Sequence, residues 1–165
     1  MSFYNEKIEA HLVSIWREST KFLSLGGREG MLVLTDKRLC FIQKTKAKSA
    51  WWQAIRRRQA LNLMKSKSVM IIHDGYDEDN LKTDMENPKN ININFDDISK
   101  IWCDEKEWGS VLYIEYMHDG AVLKYQYTIA QDWVKYPMKD ALKFMHVDWE
   151  PFVARIMERG IRLDW

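Results

Sequence analysis

One turn places the strongest constraint on the fold of this chain. His118-Asp119-Gly120 joins two apolar runs, residues 111–118 and 121–129. An Asp-Gly pair favours the two-residue turn of a β-hairpin, in which both central residues have positive φ. We therefore predict two antiparallel strands here.

Five shorter runs upstream predict five more strands. Their bounds are 21–25, 30–35, 38–44, 91–96 and 99–105. Residues 91–96 alternate apolar and polar side chains, as a half-buried strand does. Residues 31–34 and 39–42 are apolar on both faces, which predicts strands that are either largely buried or packed on the outside by a helix or insertion. Seven strands in hairpin order predict a mainly β fold with helices, an antiparallel barrel or sandwich.

Apolar residues at helical spacing predict a helix near each end of the chain. Behind Asn5, a candidate N-cap, the spacing predicts a helix over residues 5–18 that carries Ile8, Leu12, Ile15 and Trp16. The second helix, over residues 148–159, has one apolar stripe formed by Trp149, Phe152, Val153, Ile156 and Met157. We expect this amphipathic C-terminal helix to cap the barrel.

Residues 45–89 form an insertion between the third and fourth strands. Residues 49–67 contain neither Gly nor Pro and predict a helix, followed by a short strand at residues 69–72. The acidic stretch 73–90 predicts a flexible, solvated loop. Because all seven predicted strands lie outside the insertion, we expect the β domain to fold without it.

Charge is divided unevenly along the chain although the formal net charge is only +1. Residues 37–73 carry ten Lys and Arg and no acid, whereas residues 74–107 carry eleven acids and four lysines. Either the two segments neutralise each other in the fold, or the basic segment faces a partner. The sequence leaves both interpretations open.

Seven strands followed by one amphipathic helix resemble the pleckstrin-homology-like (PH-like) superfold, in particular its GRAM and bacterial PH-like branch. GMLVLTDKRLCFI, residues 30–42, is similar to that family's strand, Thr-Asp/Asn-x-Arg, strand hairpin. INFDDISKIW, residues 93–102, is similar to its step from an acidic pair and Ile into a strand. The resemblance implies a partly open seven-stranded barrel with the terminal helix at one end. It also implies a non-catalytic module that binds lipid headgroups or proteins.

The family's phosphoinositide-binding residues do not carry over, because the first loop offers only Arg28 beside Glu29. No catalytic or metal-binding motif is present, and Cys40 and Cys103 are expected to be free thiols. We therefore expect one cytoplasmic domain, residues 1–165, that is not an enzyme and uses no cofactor or metal.

The candidate binding surface combines aromatic and basic residues. Its members are Trp51, Trp52, Arg56, Arg57, Arg58, Lys65, Lys67 and Trp108. At about 100° per residue the three consecutive arginines point in different directions, which weakens a membrane-binding face. A protein partner or self-association is therefore the preferred function, and an anionic membrane surface is the alternative. Nucleic acid is disfavoured by the near-zero net charge.

Overall fold

A computed structural model describes residues 5–20, 27–132 and 143–159. The strands are β1 (Ile8–Ser19), β2 (Arg28–Thr35), β3 (Arg38–Ile42), β4 (Ile91–Asn94), β5 (Ile98–Lys106), β6 (Gly109–His118), β7 (Ala121–Asp132) and β8 (Lys143–Phe144). The helices are α1 (Ser49–Ser66), α2 (Glu78–Asp84) and α3 (Glu150–Arg159). A 3₁₀ turn, Phe95–Asp97, joins β4 to β5.

Seven of the strands form one antiparallel sheet in the order β4-β3-β2-β1-β7-β6-β5, and β8 pairs with β7. Its two edges, β4 and β5, are consecutive in the chain, yet the sheet does not close between them. The structure thus confirms the predicted mainly β, antiparallel, partly open architecture with a C-terminal helix. The predicted strand at residues 21–25 lies outside the described residues.

The Asp-Gly turn has the predicted conformation. Asp119 and Gly120 have φ of 48° and 77°, and His118 lies opposite Ala121 across the turn. The local turn chemistry thus sets the register of β6 against β7.

The predicted helix over residues 5–18 is wrong, because this segment is the central strand β1. Its register shifts twice, between Ile8 and Ala10 and between Leu12 and Ile15. Ser14, in the second irregularity, has a φ of 56°. Each shift breaks the alternation of a strand, so apolar residues recur three and four positions apart as they do in a helix. Because β1 is buried on both faces, it also lacks the regular alternation of apolar and polar residues that marks a half-buried strand in a sequence.

Two apolar clusters share this sheet. The inner cluster fills the barrel and includes Leu12, Ile15, Phe41, Ile114 and Tyr127. Helix α3 closes it with Phe152, Val153 and Ile156, together with Trp149 just before the helix, all at most 7% exposed, as the sequence predicts. The outer cluster covers the other face of β1, β2 and β3 with Ile55, Tyr76 and Leu81 from the insertion.

The insertion is therefore part of the core. Besides the outer cluster, it supplies Leu63, Val69 and Ile71 to the barrel interior. Removing residues 45–89 would expose one face of three strands and open the inner cluster. The packing thus argues against the expectation that the β domain folds without the insertion, which stays a prediction for a deletion variant to test.

The structure confirms the predicted helix in the insertion but corrects the two segments after it. No strand forms at residues 69–72, where His11 N donates a single hydrogen bond to Ile71 O at 2.6 Å. The acidic stretch is no loose loop, because it forms α2. A reciprocal capping box between Asp77 and Asn80 starts this helix, which buries Leu81 and Asp84.

Candidate binding surface

Helix α1 is fixed to the sheet by one buried amide. Gln59 is 2% exposed and lies over the irregular part of β1. Its Oε1 accepts from Val13 N and its Nε2 donates to Val13 O, both at 2.8 Å. The side chain thus completes backbone hydrogen bonding at a residue that lies within the register shift. Ile55 and Leu63, one turn on either side, are buried in the outer and inner cluster respectively.

Aromatic rings pack beneath the start of α1. His11 is fully buried and stacks on Tyr76 with ring centroids 4.5 Å apart. Trp51 lies nearly parallel to the His11 ring at 5.9 Å and donates from Nε1 to Asp74 O at 2.9 Å. Gly75 has a φ of 91°, and a side chain there would collide with Trp51. The helix start and the loop after residue 72 are thereby held together.

The two histidines of this cluster carry no charge at neutral pH. Burial, with a smaller contribution from the neighbouring His73, lowers the pKa of His11 to about 3. Burial also lowers the pKa of His73 to about 4, with repulsion from Arg58 as a smaller cause. His73 Nε2 lies 2.9 Å from Gln59 Oε1, so its neutral ring is a hydrogen-bonding partner of the anchoring amide.

A second polar network joins the two ends of the insertion, where the chain leaves the sheet and returns to it. The buried carboxylate of Asp84 accepts from Tyr76 Oη and Thr45 Oγ1, each at 2.7 Å. The Asn90 side chain accepts from two backbone nitrogens, Gln43 N and Lys44 N, and donates to two carbonyl oxygens. Because these groups satisfy one another's hydrogen-bonding capacity, the network has a structural role and does not resemble a reactive site.

Of the predicted surface residues, the two tryptophans face inward. Trp51 and Trp52 are partly buried against the outer cluster. Their large apolar area is therefore already used to dock α1 on the sheet. Each ring remains partly exposed at the edge of this contact.

The three arginines diverge as the helical geometry requires. Arg56 is partly buried, and its Nη2 donates to Gln53 Oε1 at 3.0 Å. Arg58 reaches the acidic segment through a 4.0 Å ion pair with the fully exposed Asp74. Arg57 is exposed and has no ion pair among the described residues. Within the described part of the chain, the basic and acidic segments thus share one weak, exposed ion pair.

The remaining predicted residues separate into two places. Lys65 and Lys67 are exposed at the end of α1, where Lys67 adopts a φ of 64° and ends the helix. Trp108 belongs to the turn between β5 and β6, is 45% exposed and packs edge-on against Phe144 with ring centroids 5.6 Å apart. It belongs to a different element from the basic helix.

The sequence prediction missed two apolar residues on the outward face of α1. Leu61 and Met64 are 57% and 60% exposed. On a helix they lie one turn apart, and Arg57 and Lys65 lie one turn before and one turn after Leu61. We call these four residues the α1 outer face. A helix that only covers a sheet has polar residues on the side that faces away from the sheet. Apolar residues on both sides of α1 were therefore a signal in the sequence for a second contact face.

Other features of the described residues offer less. A depression of about 290 Å³ between the starts of α1 and α2 is lined by paired groups such as Tyr76 and Asp84. In the described ranges no group of three or more His, Cys, Asp or Glu side chains is arranged to hold a metal ion. No helix in those ranges is both long and apolar enough to span a membrane.

Comparison with protein-family models, curated proteins and solved structures finds no match to this chain.

Proposed function

We propose that this chain is a non-enzymatic binding module of the PH-like superfold and that it docks a protein partner on the α1 outer face. The observation that supports this proposal most directly is the exposure of Leu61 and Met64. Both side chains are more than half exposed on a helix whose other side is packed on the sheet. Large apolar side chains at adjacent exposed positions indicate an interaction site when polar residues border them.

The order of elements supports the PH-like assignment. The meander β1-β2-β3-β4 and the meander β5-β6-β7 are joined through β1 and β7, and α3 closes the interior. The resemblance of residues 30–42 and 93–102 implies a partly open barrel with a terminal helix at one end, and this order of elements supports that proposal.

Charge indicates the chemistry of the partner. Arg57 and Lys65 border the apolar pair, and neither has an ion pair within the described residues. A partner surface with an apolar centre and acidic rim would complement this pattern and speed association. We therefore favour an acidic protein surface.

The membrane alternative has less support. Three basic residues near an anionic bilayer contribute about 1 kcal/mol each to binding. Their total, about 3 kcal/mol, corresponds to a dissociation constant of several millimolar. Stable anchoring would need inserted tryptophans, but Trp51 and Trp52 are packed against the sheet.

Site-specific photo-cross-linking in the native cell tests the proposal. A photoreactive amino acid at Leu61 is expected to give a discrete protein adduct that weakens when Arg57 and Lys65 are changed to Glu. The same group at Met117, which is 41% exposed on β6, is the matched control and should not give that adduct. The partner is then purified and its binding measured directly.

The outcomes separate the alternatives. An adduct with a second copy of the chain, confirmed by sedimentation velocity, would identify self-association. Absence of an adduct specific to Leu61, together with vesicle binding lost in the same charge reversal, would replace the protein proposal with the membrane alternative.

A further inference from the structure

One cation lies inside the barrel. Arg17 of β1 is 6% exposed, and its Nε donates to Tyr127 Oη at 3.1 Å. Its Nη2 donates to Tyr116 Oη at 2.8 Å, and its Cζ lies 3.4 Å from the ring centroid of Tyr125. No carboxylate in the described parts of the chain forms an ion pair with Arg17.

A second buried arginine among the described residues, Arg38, has a carboxylate partner. Arg38 is also 6% exposed, but its Nε and Nη2 bind both carboxylate oxygens of Glu6, at 2.9 and 3.1 Å. A buried charge is strongly unfavourable unless it is paired, and a guanidinium does not lose its proton in a protein. Phenol oxygens and a ring face compensate Arg17 only in part, because they carry no negative charge.

The surrounding phenols have protons to donate. Burial raises the pKa of Tyr116 to about 12 and raises that of Tyr127, so both hydroxyls stay protonated at neutral pH. Each oxygen accepts from Arg17, and neither hydroxyl donates to another described residue. Three of the five guanidinium N–H groups also have no acceptor there. Five donors around one guanidinium are thus directed at no described acceptor.

Strand register places these donors near one end of the barrel. Arg17 lies two residues before the end of β1 and Tyr116 two residues before the end of β6. Arg17 is directly opposite Arg28, which is exposed and without an ion pair among the described residues. Like charges directly opposite on paired strands are unfavourable, and an anion near this end would remove the repulsion.

We propose that Arg17, Tyr116 and Tyr127 bind an oxyanion, the phosphate or carboxylate group of a small ligand, at this end of the barrel. The planar guanidinium presents parallel N–H groups that match two oxygens of either group, and the phenols add donors from the side. This site is separate from the α1 outer face and does not depend on it.

Binding of inorganic phosphate and of acetate, each measured by calorimetry and by thermal melting against chloride at matched ionic strength, tests the site and separates the two oxyanions. At least one of them should raise the Tm of the wild-type chain above the chloride value. Arg17→Met should abolish this binding, and Tyr116→Phe and Tyr127→Phe should each weaken it at least threefold. Lys82→Met, which removes an exposed positive charge on α2, outside both proposed sites, is the control and should bind as the wild type does.

The two Tyr→Phe variants keep the packing of each ring, so they test the proposal even if Arg17→Met does not fold. A wild-type Tm that is the same in phosphate, acetate and chloride would overturn it. Equal affinity for the oxyanion in the wild type and both Tyr→Phe variants would also overturn it. Arg17 would then have only a structural role, joining β1 to β6 and β7 through its hydrogen bonds.

Discussion

Replacing Gln59 by Leu removes the hydrogen bonds that join α1 to β1 while keeping a side chain of similar size. The change leaves the N–H and the C=O of Val13 without their partner, both in a buried setting. Each such group costs about 1 to 3 kcal/mol, so the expected loss in the free energy of unfolding is about 3 to 5 kcal/mol after partial relaxation. That is a large share of the roughly 5 to 15 kcal/mol that stabilises a typical domain.

Guanidinium unfolding followed by tryptophan fluorescence measures this loss. With a slope of about 4 kcal/mol per molar, the midpoint should fall by about 1 M. Gln53→Leu, on the exposed side of the same helix, is the control and should stay within about 0.5 kcal/mol. A loss under 1 kcal/mol for Gln59→Leu would refute the view that this amide anchors the insertion.

Two further predictions concern the core and pH. Phe152→Ala should lower the free energy of unfolding by about 3 to 5 kcal/mol, because the ring is 0% exposed, whereas Met157→Ala on the outer side of α3 should change it little in the same titration. His11 and His73 have folded pKa values of about 3 and 4, below the unfolded value of about 6.5. The unfolded chain therefore binds more protons below pH 6.5, and stability should fall from there toward pH 4, by at most about 1.4 kcal/mol per pH unit for each histidine. Urea melts at pH values from 7.5 to 5 measure how the free energy of unfolding changes with pH. This change should be smaller for His73→Gln than for the wild type, and an identical pH dependence in the two proteins would contradict the assignment.

Local signals in the sequence predicted local structure correctly. The Asp119-Gly120 turn depends on the φ preferences of two residues, and α1 depends on a run of good helix formers. Four of the five residues of the apolar stripe predicted for the C-terminal helix belong to the inner cluster, whereas the fifth, Met157, is 41% exposed. In each case the residues that decide the structure are neighbours in the chain.

Structure that depends on distant partners was not predictable in the same way. The strand β1 imitates helical spacing because its register shifts and because a segment far along the chain covers its outer face. Gln59 reads as an ordinary helix residue, since its partner Val13 lies 46 positions away. The tryptophans were assigned to a surface because basic residues follow them, but burial of their aromatic area outweighs that association. Apolar residues on both sides of α1 indicate two contact faces, but the sequence does not tell which of them packs on the sheet.

The pairing of β1 with β7 also bears on when the protein folds. Arg17 and Tyr127, which face each other across this pairing, are 110 positions apart in the chain. At a synthesis rate of about 5 to 20 residues per second, β1 spends roughly 6 to 20 s outside the ribosome, or within its exit tunnel, before its second neighbour exists. During that interval one edge of an apolar strand can pair with other chains. Folding of this chain should therefore be slow for its size, and its nascent form should be a client of chaperones that shield exposed strand edges.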